Sequence, residues 1–297
     1  MILLDKNSQI IGQGVTGSEG SVALEWMSKY GTQIVAAVTP GKGGQTVCDL
    51  PVFNKVNEAL NEFPKVTGTV IYAPPLFVKA AAEEAIKAGI KWLLIVTEKV
   101  PTQDCAYLYA LANQYQATII GPSSAGIINP DLKIKIGSIG GPAANRAYVP
   151  GNIAVISKSG SMTSEISLHL KNNQMGVSWA VCIGGDRIIG TDFADFLVGL
   201  EADDTTKASV IFGELGGTYE ERVAELVKAG KIKKPVVAFI GGEFTAKLPS
   251  EVQFGHAGAI IEGEKGLPEH KRQVLAEAGV KVAANLDEIA SLIKSIA

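Results

Sequence analysis

Two hydrophobic periods alternate along this chain. Short β-rich apolar runs, SQIIGQG, TQIVAAV, TGTVIYA, KWLLIVT and ATIIG, occupy the first half. Between them lie Ala/Glu/Lys stretches of helical period, such as SVALEWMSKY, AAAEEAIKAG and CAYLYALANQY. Continuous apolar runs bounded by turn residues suit strands buried on both faces, and helices between them supply the crossovers of a parallel sheet. The pattern lapses from Pro122 to Gly151, where Gly, Pro, Asn and Ser accumulate, and resumes with NIAVISK, VSWAVCIGG, KASVIFGE, KPVVAFIGG and VKVAA before a closing helix, LDEIASLIKSIA. This predicts two doubly wound α/β domains in succession: a Rossmann-like domain over 1–125, a linker region over 126–150 and a flavodoxin-like domain over 151–297.

Ligand sites in such sheets lie beyond the C-terminal ends of the strands. In the second half those ends carry small or acidic residues, SKSGSMTSE, IGGDR, FGELGG and FIGGE, all aimed at one sheet edge. Bulk composition narrows the ligand. At 46% hydrophobic and 19% charged residues, with a net charge of −3, the chain reads as a globular protein with no basic runs for nucleic acid or membrane surfaces. No apolar run reaches the roughly 18 residues of a membrane span, and MILLDKNSQI lacks the features of a targeting segment, so a cytoplasmic protein is expected. Cys48, Cys105 and Cys182 have no paired spacing and read as reduced thiols, with no metal site expected.

Gly12-x-Gly14-x-x-Gly17 follows a strand and opens a helix, the context in which backbone N–H groups approach a phosphate; a plain strand-to-helix turn is the alternative. A dinucleotide site of the NAD type also needs an acid at the end of the second strand. Here Lys42 stands in that region, in VTPGKGG, and favours a ligand with an extra ribose phosphate, NADP or coenzyme A.

His256, one of three histidines, sits among glycines in FGHAGA. A solvated loop histidine is the bland alternative; His169 and His270 fit structural or solvated roles better than catalysis. Lys158–Thr163 turn from a strand into a helix and offer free N–H groups and hydroxyls to an anion. Glu214, at another strand end, can accept a hydrogen bond from one imidazole nitrogen and leave the other nucleophilic. The set suggests a phosphorylated histidine. No G-x-S-x-G elbow supports the competing hydrolase geometry.

GxTGxxG at 14–20, VTPGKGG at 38–44, LPVFN at 50–54, VTE at 96–98, SKSGSMT at 157–163, GGD at 184–186, GELGG at 213–217 and GHAGAII at 255–261 occur in order. With them the chain resembles, along essentially its whole length, the α-subunits of the succinyl-CoA synthetase family of nucleoside-diphosphate-forming acyl-CoA ligases. That resemblance implies coenzyme A on the first domain, at Gly14, Thr16, Gly17, Ser18, Glu19, Gly20, Pro40, Lys42, Tyr72, Thr97 and Glu98. It implies phosphorylation of His256, with Glu214 and the Ser159, Gly160, Ser161 helix start holding the phosphohistidine. It also implies a β-type ATP-grasp partner, in an αβ or α₂β₂ assembly, that binds ATP and Mg²⁺.

GPSSAG at 121–126 and GGDR at 184–187 depart from the usual succinate pattern, and GGDR, SEVQF at 250–254 and the small-Met-Ser/Thr pattern at 161–163 resemble the ATP-citrate lyase and citryl-CoA synthetase branch. A tricarboxylate would gain from an added guanidinium such as Arg187, alongside Gly160 and Ser161; an ion pair at a subunit interface is the alternative role for Arg187. The expected activity is ATP-dependent ligation of citrate to CoA, with succinate or malate as alternative acids. Cleavage of the product is expected to need another protein, since 297 residues leave no room for a lyase domain. A CoA-binding regulatory module and an NADP reductase are the competing functions.

Overall fold

The structure, a computed structural model, describes residues 4–242 and 266–296. Seven strands form the first sheet: β1 (Gln9–Gln13), β2 (Gln33–Val38), β3 (Thr46–Val47), β4 (Leu50–Phe53), β5 (Val66–Ile71), β6 (Trp92–Ile95) and β7 (Thr118–Ile120). Their spatial order is β3-β4-β2-β1-β5-β6-β7. With the short antiparallel β3 set aside, this is the 3-2-1-4-5-6 order of a Rossmann sheet. Helices α1 (Ser18–Tyr30), α2 (Val56–Glu62), α3 (Val78–Lys87) and α4 (Thr102–Tyr115) connect the parallel strands. The central strands are apolar because both faces are covered: Ile10, Ile11, Val70, Leu93 and Leu94 have no exposed surface.

The second sheet contains β8 (Gly126–Asn129), β9 (Ile134–Gly137), β10 (Pro150–Ser157), β11 (Val177–Cys182), β12 (Ala208–Gly213), β13 (Val236–Ile240) and β14 (Lys281–Ala283). It runs β14-β13-β12-β10-β11-β8-β9. Strands β10–β14 reproduce the 2-1-3-4-5 flavodoxin order, and β8 joins β11 antiparallel as the inner arm of a hairpin. Helices α5 (Gly160–Asn172), α6 (Phe193–Leu200), α7 (Tyr219–Lys228), α8 (Pro268–Glu277) and α9 (Leu286–Ile296) complete this layer. No described helix is long and apolar enough to cross a membrane.

Both expected architectures are present, but the stretch 126–150 is more than a linker. It supplies β8 and β9 to the second sheet and docks the first domain against them. Thr32 Oγ1 donates to Lys135 O at 2.6 Å and accepts from Lys135 N at 2.9 Å. The Gly137 N–H approaches Met27 Sδ at 3.1 Å. One apolar cluster runs without a break from Val15, Leu24 and Met27 in the first domain to Ile134, Ile136 and Ile156 in the second. Strands of four residues flanked by Gly, Pro and Asn are too short to show a period, which is why the stretch reads as irregular.

Candidate active site

The first domain builds its loops at the C-terminal edge of the sheet. Gly14 leaves β1 with φ +72°, and a Cβ there would lie 2.7 Å from the Ala73 nitrogen, so no other residue fits without displacing backbone. Gly17 differs: it caps α1 with φ −80° and nothing lies within 4 Å of its missing Cβ. Its neighbours Ser18 and Glu19 are exposed, so the N–H groups that open α1 face free space with the positive end of the helix dipole behind them. Thr16 Oγ1 donates to Thr39 Oγ1 at 3.2 Å and ties this turn to the loop after β2. That loop is braced by Asn54, whose Oδ1 accepts the N–H groups of Gly41 and Gly43, both at 2.9 Å, presenting an exposed Pro40 and a half-buried Lys42. Across the β1/β5 switch point lie Tyr72 and, beyond β6, Thr97 and Glu98. The Tyr72 hydroxyl is buried, which pushes its pKa up, with Ser138 working in the other direction. Thr97 Oγ1 donates to Ala73 O at 2.7 Å, while Glu98 is exposed. Gly20 is buried, its missing Cβ leaving room for Val15 at 2.6 Å, so it serves helix-on-strand packing.

In the second domain Ser157 Oγ accepts from the Ser159 N–H at 3.0 Å and donates to Ser159 O at 2.8 Å, which shapes the turn out of β10. Ser159 then caps α5, its side chain accepting from Met162 N at 3.4 Å. Gly160 is needed because a Cβ would meet the Ala125 methyl at 2.6 Å. Above this helix start lies a cavity of about 270 Å³. Glu98 from the first domain and Ser159, Gly160 and Ser161 from the second line it together, with Lys158 and Cys182.

Ser123, Ser124 and Ser138, none of them a site residue on the sequence pattern, line the same cavity. The signal available was GPSSAG, whose serines sit on the loop after β7. Lys158, which the sequence marks only as part of the turn, also lines the cavity. Its ammonium lies 3.3 Å from Gly216 O, 3.9 Å from Glu220 Oε1 and 5.3 Å from the Tyr219 ring centre, leaving the side chain 5% exposed. Cys182 is buried, and burial first, then the charges of Glu214 and Glu98, pushes its thiol pKa up.

Glu214 follows β12 and is half-buried. Arg187, beyond β11, is exposed; its carbonyl accepts from Tyr219 Oη at 3.5 Å, and it does not line the cavity. His256 lies outside the described residues. His169 sits in α5, 3.4 Å from Asn173 Nδ2, and His270 in α8. Cys48 is exposed and Cys105 buried; both are free thiols, as is Cys182. Among the described residues no group of three or more His, Cys, Asp or Glu side chains is placed to hold a metal ion.

A Rossmann domain and a flavodoxin-like domain thus share one cavity at their strand ends. Residues 5–99 match the CoA binding domain and residues 156–282 match the CoA-ligase domain. The α subunit 2 of the ADP-forming succinate–CoA ligase of Archaeoglobus fulgidus is 42% identical over 295 residues, 99% of each chain. The corresponding α subunit of Staphylococcus aureus is 42% identical over 290 residues, 98% of this chain and 93% of that one. The chain belongs to the succinate–CoA ligase α-subunit family. Among solved structures, ATP citrate lyase from Methanothrix soehngenii, in complex with citrate and coenzyme A, superposes with a TM-score of 0.90 at 27% identity. That match covers 99% of this chain, which spans 50% of the lyase chain.

Proposed function

We propose that this chain is the α-type subunit of an ATP-dependent citrate–CoA ligase that works through a phosphohistidine at His256. The single observation that carries the ligase reading is the cavity in which Glu98 of the CoA-binding domain meets the Ser159–Ser161 helix start of the ligase domain. A helix N-terminus flanked by hydroxyls suits a phosphoryl group, and the positive end of α1 at Gly17 suits the phosphates of coenzyme A. Lys42, held beside Thr16 and Pro40 by the Asn54 brace, suits the ribose phosphate that distinguishes coenzyme A from NAD. A β-type ATP-grasp partner would bind ATP and Mg²⁺, as expected for a relative of named α subunits.

In this scheme an imidazole nitrogen of His256 takes the terminal phosphoryl group of ATP and ADP leaves. Glu214 orients the ring from its other nitrogen, and the Ser159–Ser161 helix start steadies the charge. A citrate carboxylate oxygen then takes the phosphoryl group and frees the imidazole. The thiol of CoA displaces phosphate to leave the thioester. Taken together, the steps replace a poor leaving group on the carboxyl carbon, hydroxide, by phosphate. Citrate is favoured by the likeness to a lyase solved with citrate and coenzyme A; Arg187 in the GGDR turn is exposed and outside the cavity, so it adds no support. Succinate is the second reading, favoured by the 42% identical relatives.

The test is the chain assembled with its ATP-grasp partner, given ATP, CoA and a panel of citrate, succinate and malate, with ADP release measured. ATP-dependent phosphate labelling of this chain, lost in His256→Ala, is expected, and the greatest turnover with citrate. Preference for succinate would overturn the acid assignment. Labelling that survives His256→Ala would overturn the role of the histidine.

A further inference from the structure

A buried ionic cluster lies under the turn that carries Glu214. Glu220, in the first turn of α7, and Lys271, in α8, both have fully buried side chains. Lys271 Nζ donates to Glu220 Oε2 at 2.5 Å, to Glu214 O at 2.8 Å and to Gly216 O at 2.7 Å. An ammonium has three protons, and here all three go to the turn or to the carboxylate that supports it. The other carboxylate oxygen of Glu220 accepts from the Glu214 N–H at 3.3 Å and lies 3.9 Å from Lys158 Nζ. Lys158 in turn donates to Gly216 O at 3.3 Å and reaches the wall of the cavity. The turn is also fastened by Gly216 N donating to Gly266 O at 2.8 Å. Even the glycine that opens GELGG answers to this cluster, since a Cβ on Gly213 would strike Glu220 Oε1 at 2.3 Å.

A buried ion pair adds little stability over apolar side chains of the same volume, so stability alone gives a weak reason to keep one here. An apolar pair would take the Lys271 donor away from the Glu214 and Gly216 carbonyls. What the charged pair adds is a fixed position for the Glu214 backbone relative to Lys158 and the α5 start.

We propose that Lys271 and Glu220 are positioning residues for phosphoryl transfer: they clamp the Glu214–Gly217 turn so that Glu214 and Lys158 address the Ser159–Ser161 site together. This rests on the ligase reading above. Burial pulls the Lys271 pKa down while the Glu220 carboxylate draws it back.

The experiment uses the full chain assembled with its ATP-grasp partner and compares wild type, Glu220→Gln and the double variant Lys271→Met/Glu220→Gln. Lys271→Met alone would strand a buried carboxylate and threaten folding, whereas Glu220→Gln keeps shape and the double variant removes both charges. Three quantities are read: labelling of the chain by ATP, CoA affinity and the thermal midpoint. A tenfold or greater fall in labelling rate is expected for the double variant and a smaller fall for Glu220→Gln, with CoA affinity within twofold of wild type. Labelling at the wild-type rate in both variants would overturn the proposal. So would CoA affinity and thermal midpoint falling in step with the labelling rate in Glu220→Gln, the mark of a merely structural role. Absence of labelling in wild type would instead sink the ligase reading and this inference with it.

Discussion

Glu98 and Ser159 stand on different sheets, one beyond β6 and the other at the start of α5, and line a single cavity of about 270 Å³. The domains are held in that relation by a shared apolar core and by the Thr32–Lys135 and Met27–Gly137 contacts, so the site is formed by the way the domains dock.

Two glycines of one loop should respond differently to the same change. Gly14→Ala meets Ala73 backbone at 2.7 Å with a positive φ, and should lose about 1–3 kcal/mol of stability. Gly17→Ala has room and an ordinary φ; its thermal midpoint should stay near wild type while CoA binding weakens, because the added methyl occupies the space before the helix. Thermal melts and calorimetric titration with CoA separate the two.

Lys42→Ala should weaken CoA by about tenfold, equivalent to about 1.4 kcal/mol, and leave dephospho-CoA nearly unchanged. The charge is expected to meet only the ribose phosphate. Equal weakening of both ligands would move Lys42 away from that group.

Ser159 and Ser161 separate capping from binding. Ser159→Ala removes the side-chain acceptor for Met162 N and should cost about 1 kcal/mol of stability. Ser161 is exposed at the cavity, so Ser161→Ala should leave the melt unchanged and slow phosphate labelling. The melt should therefore drop only for Ser159→Ala, while the effect of Ser161→Ala should be read in the labelling rate alone.

Lys135 is buried beneath Trp26, its ammonium 5.3 Å from the ring centre and donating to Gly141 O. Burial lowers its pKa from 10.5 to about 8. Between those values the unfolded chain holds a proton that the folded chain has released, so folding is favoured as pH rises through that window. The increment is complete above the unfolded value and is lost as pH falls through about 8. The stability difference between wild type and Lys135→Met should shift toward wild type from pH 8 to 10; a flat difference would show that Lys135 keeps its proton.

The order of apolar runs and helical stretches determined the parallel strands of both sheets except the four-residue β4 (Leu50–Phe53), and their placement in two domains, because buried parallel strands must be apolar on both faces. The glycine turn at 14–17, Lys42 and the Ser159–Ser161 helix start were likewise legible, since each depends on residue type within a few positions of a strand end. Tertiary structure decided the rest. The β8–β9 hairpin lies hidden in a stretch rich in turn residues, its strands recognisable only by their pairing, Gly126 of β8 opposite Cys182 of β11 and Gly137 of β9 opposite Gly126. Ser138, Ser123 and Glu98 come together across two sheets, and Lys271 finds Glu220 from another helix, 51 positions away in the chain. Local periodicity reports which face of an element is dry; it carries no information on which distant polar group will satisfy a buried charge, and that choice is made only when the layers pack.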